Sequence, residues 1–235
     1  MTYLSKINPK TPIIMLWLPG THDSLAYNIP FKLFLRTQSF NFTEQLELGV
    51  RVFDVRLDAL SFNYCHKCFY CRTFDNELIP FEETLIIANE FLHEHKSDFI
   101  VMLVKMERNA HIPYRDRLQT LMEKYNCLEL TTLDKTLEDV SGKICIIDTH
   151  RYSVPKQDEY ANEIIDKLHE FRAATYDENI LLNYSSVIGV PILTSKIANI
   201  YVKTIIRKAL IPQWYMIDFI NEELIDVIIS KNFEK

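Results

Sequence analysis

"IIMLWLPGTHDS" (Ile13–Ser24) runs an apolar stretch directly into a turn that holds Gly20, Thr21, His22, Asp23 and Ser24. A strand-like segment that ends in chemically capable side chains is the unit on which the fold reading rests. The same arrangement recurs. "VRVFDVRL" (50–57) closes on Asp54 and Arg56, and "LSFNYC" (60–65) is followed by His66. "FIVMLV" (99–104) is followed by Lys105, "ICII" (144–147) comes shortly before Arg151, and "WYMI" (214–217) precedes Asp218. "SSVIGVPIL" (185–193) is a further candidate strand. Several of these runs are continuously apolar, the pattern of strands covered on both faces.

Helical periodicity lies between them. Phe81, Leu85, Ala88 and Leu92 share one face behind Pro80, and Tyr160, Ile164, Leu168 and Phe171 form a similar stripe. Segments 112–125, 195–210 and 220–233 read the same way. Strands alternating with helices predict parallel βα units. In a (β/α)8 barrel the carboxyl ends of all strands converge on one face, whereas an open doubly wound sheet gathers only a few near one switch point. Six runs with functional groups at their ends therefore favour an α/β fold with a single TIM-type barrel, irregular or incompletely closed, spanning 1–235 as one domain.

Composition narrows the function. The chain has 235 residues, 48% of them hydrophobic and 12% aromatic, enough to bury a sizeable core. A formal net charge of −6 argues against a general nucleic-acid binder. Only 4 glycines leave no Gly-rich phosphate loop, which disfavours nucleotide chemistry. "MTYLSKINPKTP" lacks the apolar centre of a signal peptide, no run reaches membrane-spanning length, and the 5 cysteines are an odd number. These features lead us to expect an intracellular protein, cytoplasmic or peripheral at a membrane surface.

The strand-end residues suggest a chemistry. Two histidines, each with a carboxylate to orient it, form a general acid–base pair. Arg56, Lys105 and Arg151 supply fixed positive charge where a phosphate would gain negative charge. Phosphoryl transfer or phosphodiester cleavage follows.

The order of motifs carries more. "LPGTHDS", "QLELGVRVFDVR" (45–56), His66, "FEETLIIANEFLHEHKSDFIVMLVKME" (81–107), "SGKICIID" (141–148), "QDEY" (157–160) and "WYMIDFINEE" (214–223) resemble, in sequence order, the X-domain of phosphatidylinositol-specific phospholipases C, nearest the bacterial type. The resemblance implies that His22, supported by Asp218, is the base that deprotonates the inositol 2-hydroxyl. It implies that His66, supported by Asp23, is the acid for the departing diacylglycerol oxygen, and that Arg56 stabilises the phosphate. Lys105, Arg151, Asp158 and Tyr160 would line the inositol pocket. The products would be diacylglycerol and a cyclic inositol phosphate, and the partner an inositol phospholipid met at a membrane surface. Calcium-dependent relatives carry acidic residues around the "FDVR" strand. Here Arg56 stands at one such position, so no metal and no other cofactor is expected.

The chain departs from the family pattern at "CHKCFYC" (65–71), where Lys67 follows the second histidine in place of the usual Gly. The spacing of Cys65, Cys68 and Cys71 also allows a zinc reading, against small buried or loop thiols. Two alternatives to the lyase stand beside it. One is a catalytically weakened binder of inositol phosphates or lipid headgroups; the other is a glycerophosphodiester phosphodiesterase, against which Asp158 and Tyr160 speak.

Overall fold

The computed structural model describes residues 2–157, 159, 161, 163–186 and 190–234. In chain order the first strands are β1 (Leu18–Thr21), β2 (Val52–Asp58), β3 (Cys65–His66), β4 (Phe69–Tyr70) and β5 (Ile100–Arg108). They are followed by β6 (Leu128–Glu129), β7 (Ile144–Asp148), β8 (Leu182–Tyr184) and β9 (Trp214–Ile217). The helices are α1 (Lys32–Leu35), α2 (Phe42–Leu48), α3 (Phe81–Glu94) and α4 (Arg115–Lys124). α5 (Leu137–Val140), α6 (Ile164–Ala174), α7 (Pro191–Arg207) and α8 (Glu222–Ser230) complete them.

Seven strands make one parallel sheet in the order β6-β7-β5-β2-β1-β9-β8. Among the described residues no ladder joins β6 to β8, so hydrogen bonds do not close the sheet. The architecture is an irregular (β/α)8 barrel, as expected. Every residue of β1, β2, β7 and β9 is buried, which is why these strands read as apolar runs rather than alternating ones. Helices cover the outside: α3 buries Phe81, Leu85, Ala88 and Leu92.

Three expectations need correction. Ile13–Met15 forms a 3-10 turn, and the strand begins only at Leu18. The "LSFNYC" run gives no barrel strand; its end, Cys65–His66, pairs with β4 as an antiparallel hairpin outside the main sheet. No described residue of 185–193 forms a strand: β8 ends at Tyr184, before that run, Pro191–Leu193 open α7, and 187–189 lie outside the described residues. Short apolar runs do not distinguish a barrel strand from a turn or hairpin packed on it.

Close strand approach shapes the first turn. A Cβ on Gly20 would come within 2.6 Å of Met216 Sδ and 3.1 Å of the Tyr215 carbonyl. Glycine thus lets β1 lie close against β9 and delivers His22 beside Asp218. α2 secures the same turn from outside. Its capping box, Asn41 with Glu44, fixes where the helix starts. That start sets the position of Gln45, which accepts from Thr21 Oγ1 at 2.8 Å and donates to the Ser24 carbonyl at 2.8 Å.

Candidate active site

His22, Asp23, Asp54, Arg56, His66 and Asp218, all buried, meet at the carboxyl end of the sheet. His22 follows β1 and Asp218 follows β9, so the parallel pairing of these strands brings the two side chains together. His22 Nδ1 lies 2.8 Å from Asp218 Oδ1 and 2.9 Å from Ser186 Oγ. Gln38 Nε2 donates to the carbonyls of both His22 and Ile217, at 2.8 Å each, which ties the two strand ends to one amide.

Asp23 sits at φ 43°, a left-handed backbone conformation costly for a non-glycine residue. Its backbone N–H donates to Asp54 Oδ2 at 3.1 Å, and its carbonyl accepts from Thr37 Oγ1 at 3.0 Å. The strained turn aims the carboxylate between the two histidines. Asp23 Oδ2 lies 3.4 Å from His22 Nε2 and 3.3 Å from His66 Nε2. The aspartate expected to serve His66 alone therefore faces both rings.

His66 stands on the β3–β4 hairpin, and its Nδ1–H donates to the Leu35 carbonyl at 2.9 Å. That bond leaves Nε2 as the atom available for proton transfer.

Arg56 occupies the centre. Its Nε is 2.5 Å from Asp23 Oδ1, and Nε and Nη2 donate to Asp54 Oδ2 at 3.0 and 2.9 Å. Nη1 donates to Glu107 at 3.0 Å, and Nη2 reaches His22 Nε2 at 2.8 Å and Glu159 at 3.2 Å. His22, Asp23 and Asp54 offer atoms within 4.8 Å of one another, the one such grouping of potential metal ligands among the described residues. The guanidinium lies against all three, so a cation of the chain's own already serves this cluster.

The charges are set by these neighbours. Burial alone would favour neutral His22, but Asp23 and Asp218 outweigh it and raise the ring to about 9, with Arg56 opposing them. Arg56 Nη2 can only donate, so its contact with Nε2 belongs to the neutral ring, and protonation must break it. Burial would raise Asp54, but Arg56 and His22 hold it down to about 2. For Asp23, burial outweighs Arg56 and the two histidines, and its carboxyl lies above the usual range.

Beside this cluster opens a cleft of about 330 Å³, whose walls include Lys105, Arg151, Lys156, Glu159 and Tyr184. Lys105 lines this cleft, 3.9 Å from Glu159. Arg151 lines the cleft but is half exposed, over the Tyr152 ring and 3.9 Å from Glu129. His150 bonds the backbone of Met106 and does not join the cluster around Arg56. Asp158 and Tyr160 lie outside the described residues. Tyr184 supplies an aromatic wall, its ring edge-on to His22 at 5.8 Å between centroids.

Sequence reading missed Tyr184, Ser186, Gln38, Glu107 and Glu159. Glu107 carried a usable signal: it shares the face of Lys105, two residues on, at the polar end of an apolar strand. Cys65, Cys68 and Cys71 do not assemble a metal-binding group. Burial pushes the Cys65 thiol up to about 12 and that of Cys71 well above its ordinary value, as suits packing rather than ligation.

No family model matches the chain. The 1-phosphatidylinositol phosphodiesterase of Listeria monocytogenes is 28% identical over 165 residues, 65% of this chain and 50% of that protein. The chain thus spans about half the length of the curated relative it matches. The phosphatidylinositol-specific phospholipase C structure from Listeria monocytogenes superposes with a TM-score of 0.84 at 22% identity, covering 100% of this chain and 98% of that one. The H258Y mutant of the Staphylococcus aureus phosphatidylinositol-specific phospholipase C gives 0.79 at 16% identity, covering 96% and 95%. Another Staphylococcus aureus structure, titled for modulation of membrane binding, gives 0.79 at 17%, covering 96% of each chain. The chain is related to the bacterial phosphatidylinositol-specific phospholipases C and shares their barrel, as its ordered motifs suggest.

Proposed function

We propose that this chain is a metal-independent phosphodiesterase that cleaves phosphatidylinositol to diacylglycerol and a cyclic inositol phosphate. One observation carries the reading: two buried histidines address the same Asp23 oxygen through Nε2, beside one guanidinium. His22 Nε2 takes the proton of the inositol 2-hydroxyl, while Asp218 holds Nδ1–H and stabilises the imidazolium that forms. The hydroxyl oxygen attacks phosphorus as the bond to the diacylglycerol oxygen breaks. His66 Nε2 gives its proton to that leaving oxygen. Arg56 binds the phosphoryl oxygens as their charge grows, and Asp54 holds the guanidinium in place. The cleft takes the inositol ring, with Lys105, Arg151, Asp158 and Tyr160 as its assigned contacts and Tyr184 as an added wall.

The membrane-facing side has support of its own. Phe31, Leu33 and Phe34 are exposed around α1, and α1 packs against α7, which exposes Leu193, Ile197 and Ile200. These exposed apolar side chains, on two helices in contact, suit peripheral contact with lipid. No described helix is long and apolar enough to cross a membrane.

The test is incubation with short-chain phosphatidylinositol followed by phosphorus NMR. The reading expects a five-membered cyclic phosphate as the first product. Binding of inositol phosphate without any turnover by folded protein would instead support a headgroup binder. Release from glycerophosphodiesters alone would move the substrate class.

A further inference from the structure

We infer that Glu107 is a positioning residue for the general acid: its carboxylate ties the turn after His66 to Arg56 and stabilises a backbone conformation that Lys67 adopts poorly. The inference rests on the proposed role of His66.

The hairpin register pairs Cys65 with Tyr70 and His66 with Phe69, which leaves a two-residue loop, Lys67–Cys68. Such loops place their first residue at positive φ, where glycine, asparagine or aspartate is favoured. Lys67 sits there, at φ 56°. Its Cβ makes that conformation costly, so the loop needs an outside contact to stay in this shape.

Glu107 provides one. Its Oε1 accepts from the Lys67 backbone N–H at 2.6 Å, and its Oε2 accepts from Arg56 Nη1 at 3.0 Å. The position of Glu107 in β5 explains its reach. Leu57 pairs with Met106 but Asp58 pairs with Arg108, so Glu107 is the extra residue of a bulge between β2 and β5. Bulges beside active sites re-aim a side chain. Here the re-aimed carboxylate is only 14% exposed and spans the gap between sheet and hairpin. Arg108 also touches the hairpin, donating to the Cys68 carbonyl at 3.4 Å, but that bond does not involve Arg56. Glu107 therefore couples the position of the acid to that of the phosphate-binding guanidinium.

The decisive comparison uses two substrates: short-chain phosphatidylinositol, and an inositol phosphate aryl ester whose leaving group departs without protonation. A defect in the acid step slows the first far more than the second, whereas a defect acting through Arg56 alone slows both equally. Glu107→Ala is expected to lower kcat on phosphatidylinositol by about 10²-fold and on the aryl ester by less than about tenfold. Lys67→Gly alone leaves the rate within about twofold. In the Glu107→Ala background it recovers at least about fivefold, because glycine adopts the positive φ without help. Retained aryl-ester turnover shows that the variants fold. Equal losses on both substrates, or no recovery in the double variant, would overturn the inference while leaving the lyase reading intact. Should the wild-type protein cleave neither substrate, the lyase reading fails. Amide exchange at Lys67 then decides the structural claim: protection must drop in Glu107→Ala, and unchanged protection contradicts it.

Discussion

His22 Nδ1 lies 2.8 Å from Asp218 Oδ1, between residues almost two hundred positions apart in the chain. Adjacent parallel strands bring them together, and the contact engages Nδ1, so Nε2 is the nitrogen that acts as base in the proposed reaction. It also sets when that nitrogen can act. Asp23 and Asp218, against the effect of burial, raise the ring to about 9, so the base is protonated at lower pH. In the free enzyme, kcat/KM should therefore rise with pH toward that value. Asp218→Asn removes one raising charge, so the rising limb moves to lower pH while the maximal rate falls by about 10²-fold or more. A pH–rate profile that keeps its limb in place would contradict this assignment.

Arg56 needs its fork geometry. It meets Asp23 and Asp54 through Nε, Glu107 through Nη1, and His22 through Nη2. A lysine carries the charge but cannot span these partners at once. Arg56→Lys should lower kcat by about 10²-fold, and added calcium should not restore it. Recovery on adding calcium would show that a metal can act where the guanidinium stands.

Glu159 lies against the cations that a substrate phosphate would need. Its carboxylate lies 3.2 Å from Arg56 and 3.9 Å from Lys105, and it also contacts Lys156. Arg56 outweighs burial and keeps it below the usual carboxylate range, hence ionised. Glu159→Gln should reduce KM by about three- to tenfold, roughly one charge-assisted contact, with a smaller change in kcat. Steady-state kinetics on soluble substrate separates the two; an unchanged or higher KM would count against competition between Glu159 and that phosphate.

Gly20 controls how closely β1 and β9 approach. A methyl group there would lie 2.6 Å from Met216 Sδ and 3.1 Å from Val52 Cβ. Gly20→Ala should cost about 1–3 kcal/mol of stability through overpacking. Thermal unfolding would register this as a lower Tm, and an unaltered Tm would mean that Met216 yields without cost.

Much of the fold could be read because buried parallel strands write themselves as apolar runs. β5, β7 and β9 fall within or over "FIVMLV", "ICII" and "WYMI", and the polar residues after them mark the functional face. The Ile13–Leu18 and 60–65 runs misled because burial, not strand pairing, makes a residue apolar: Ile13 and Tyr64 are core side chains of a turn and a hairpin. The central residues His22, Asp23, Arg56, His66 and Asp218 were legible from their positions after such runs and from ordered resemblance. Ser186 and Gln38 were not. Their roles arise from contacts spanning 164 and 179 positions, which no local pattern encodes. Glu107 could be read as a partner of Lys105 on the same strand, but its link to the hairpin depends on a bulge, which is a property of two strands together.

The central claim is a two-histidine reaction in which Arg56 does the electrostatic work. Cleavage of short-chain phosphatidylinositol in excess EDTA tests it most directly, with His22→Ala and His66→Ala measured alongside the wild-type chain. The wild-type protein should release cyclic inositol phosphate at an undiminished rate, and each variant should lose about 10³-fold or more. Activity abolished by EDTA, or retained in either histidine variant, would contradict it.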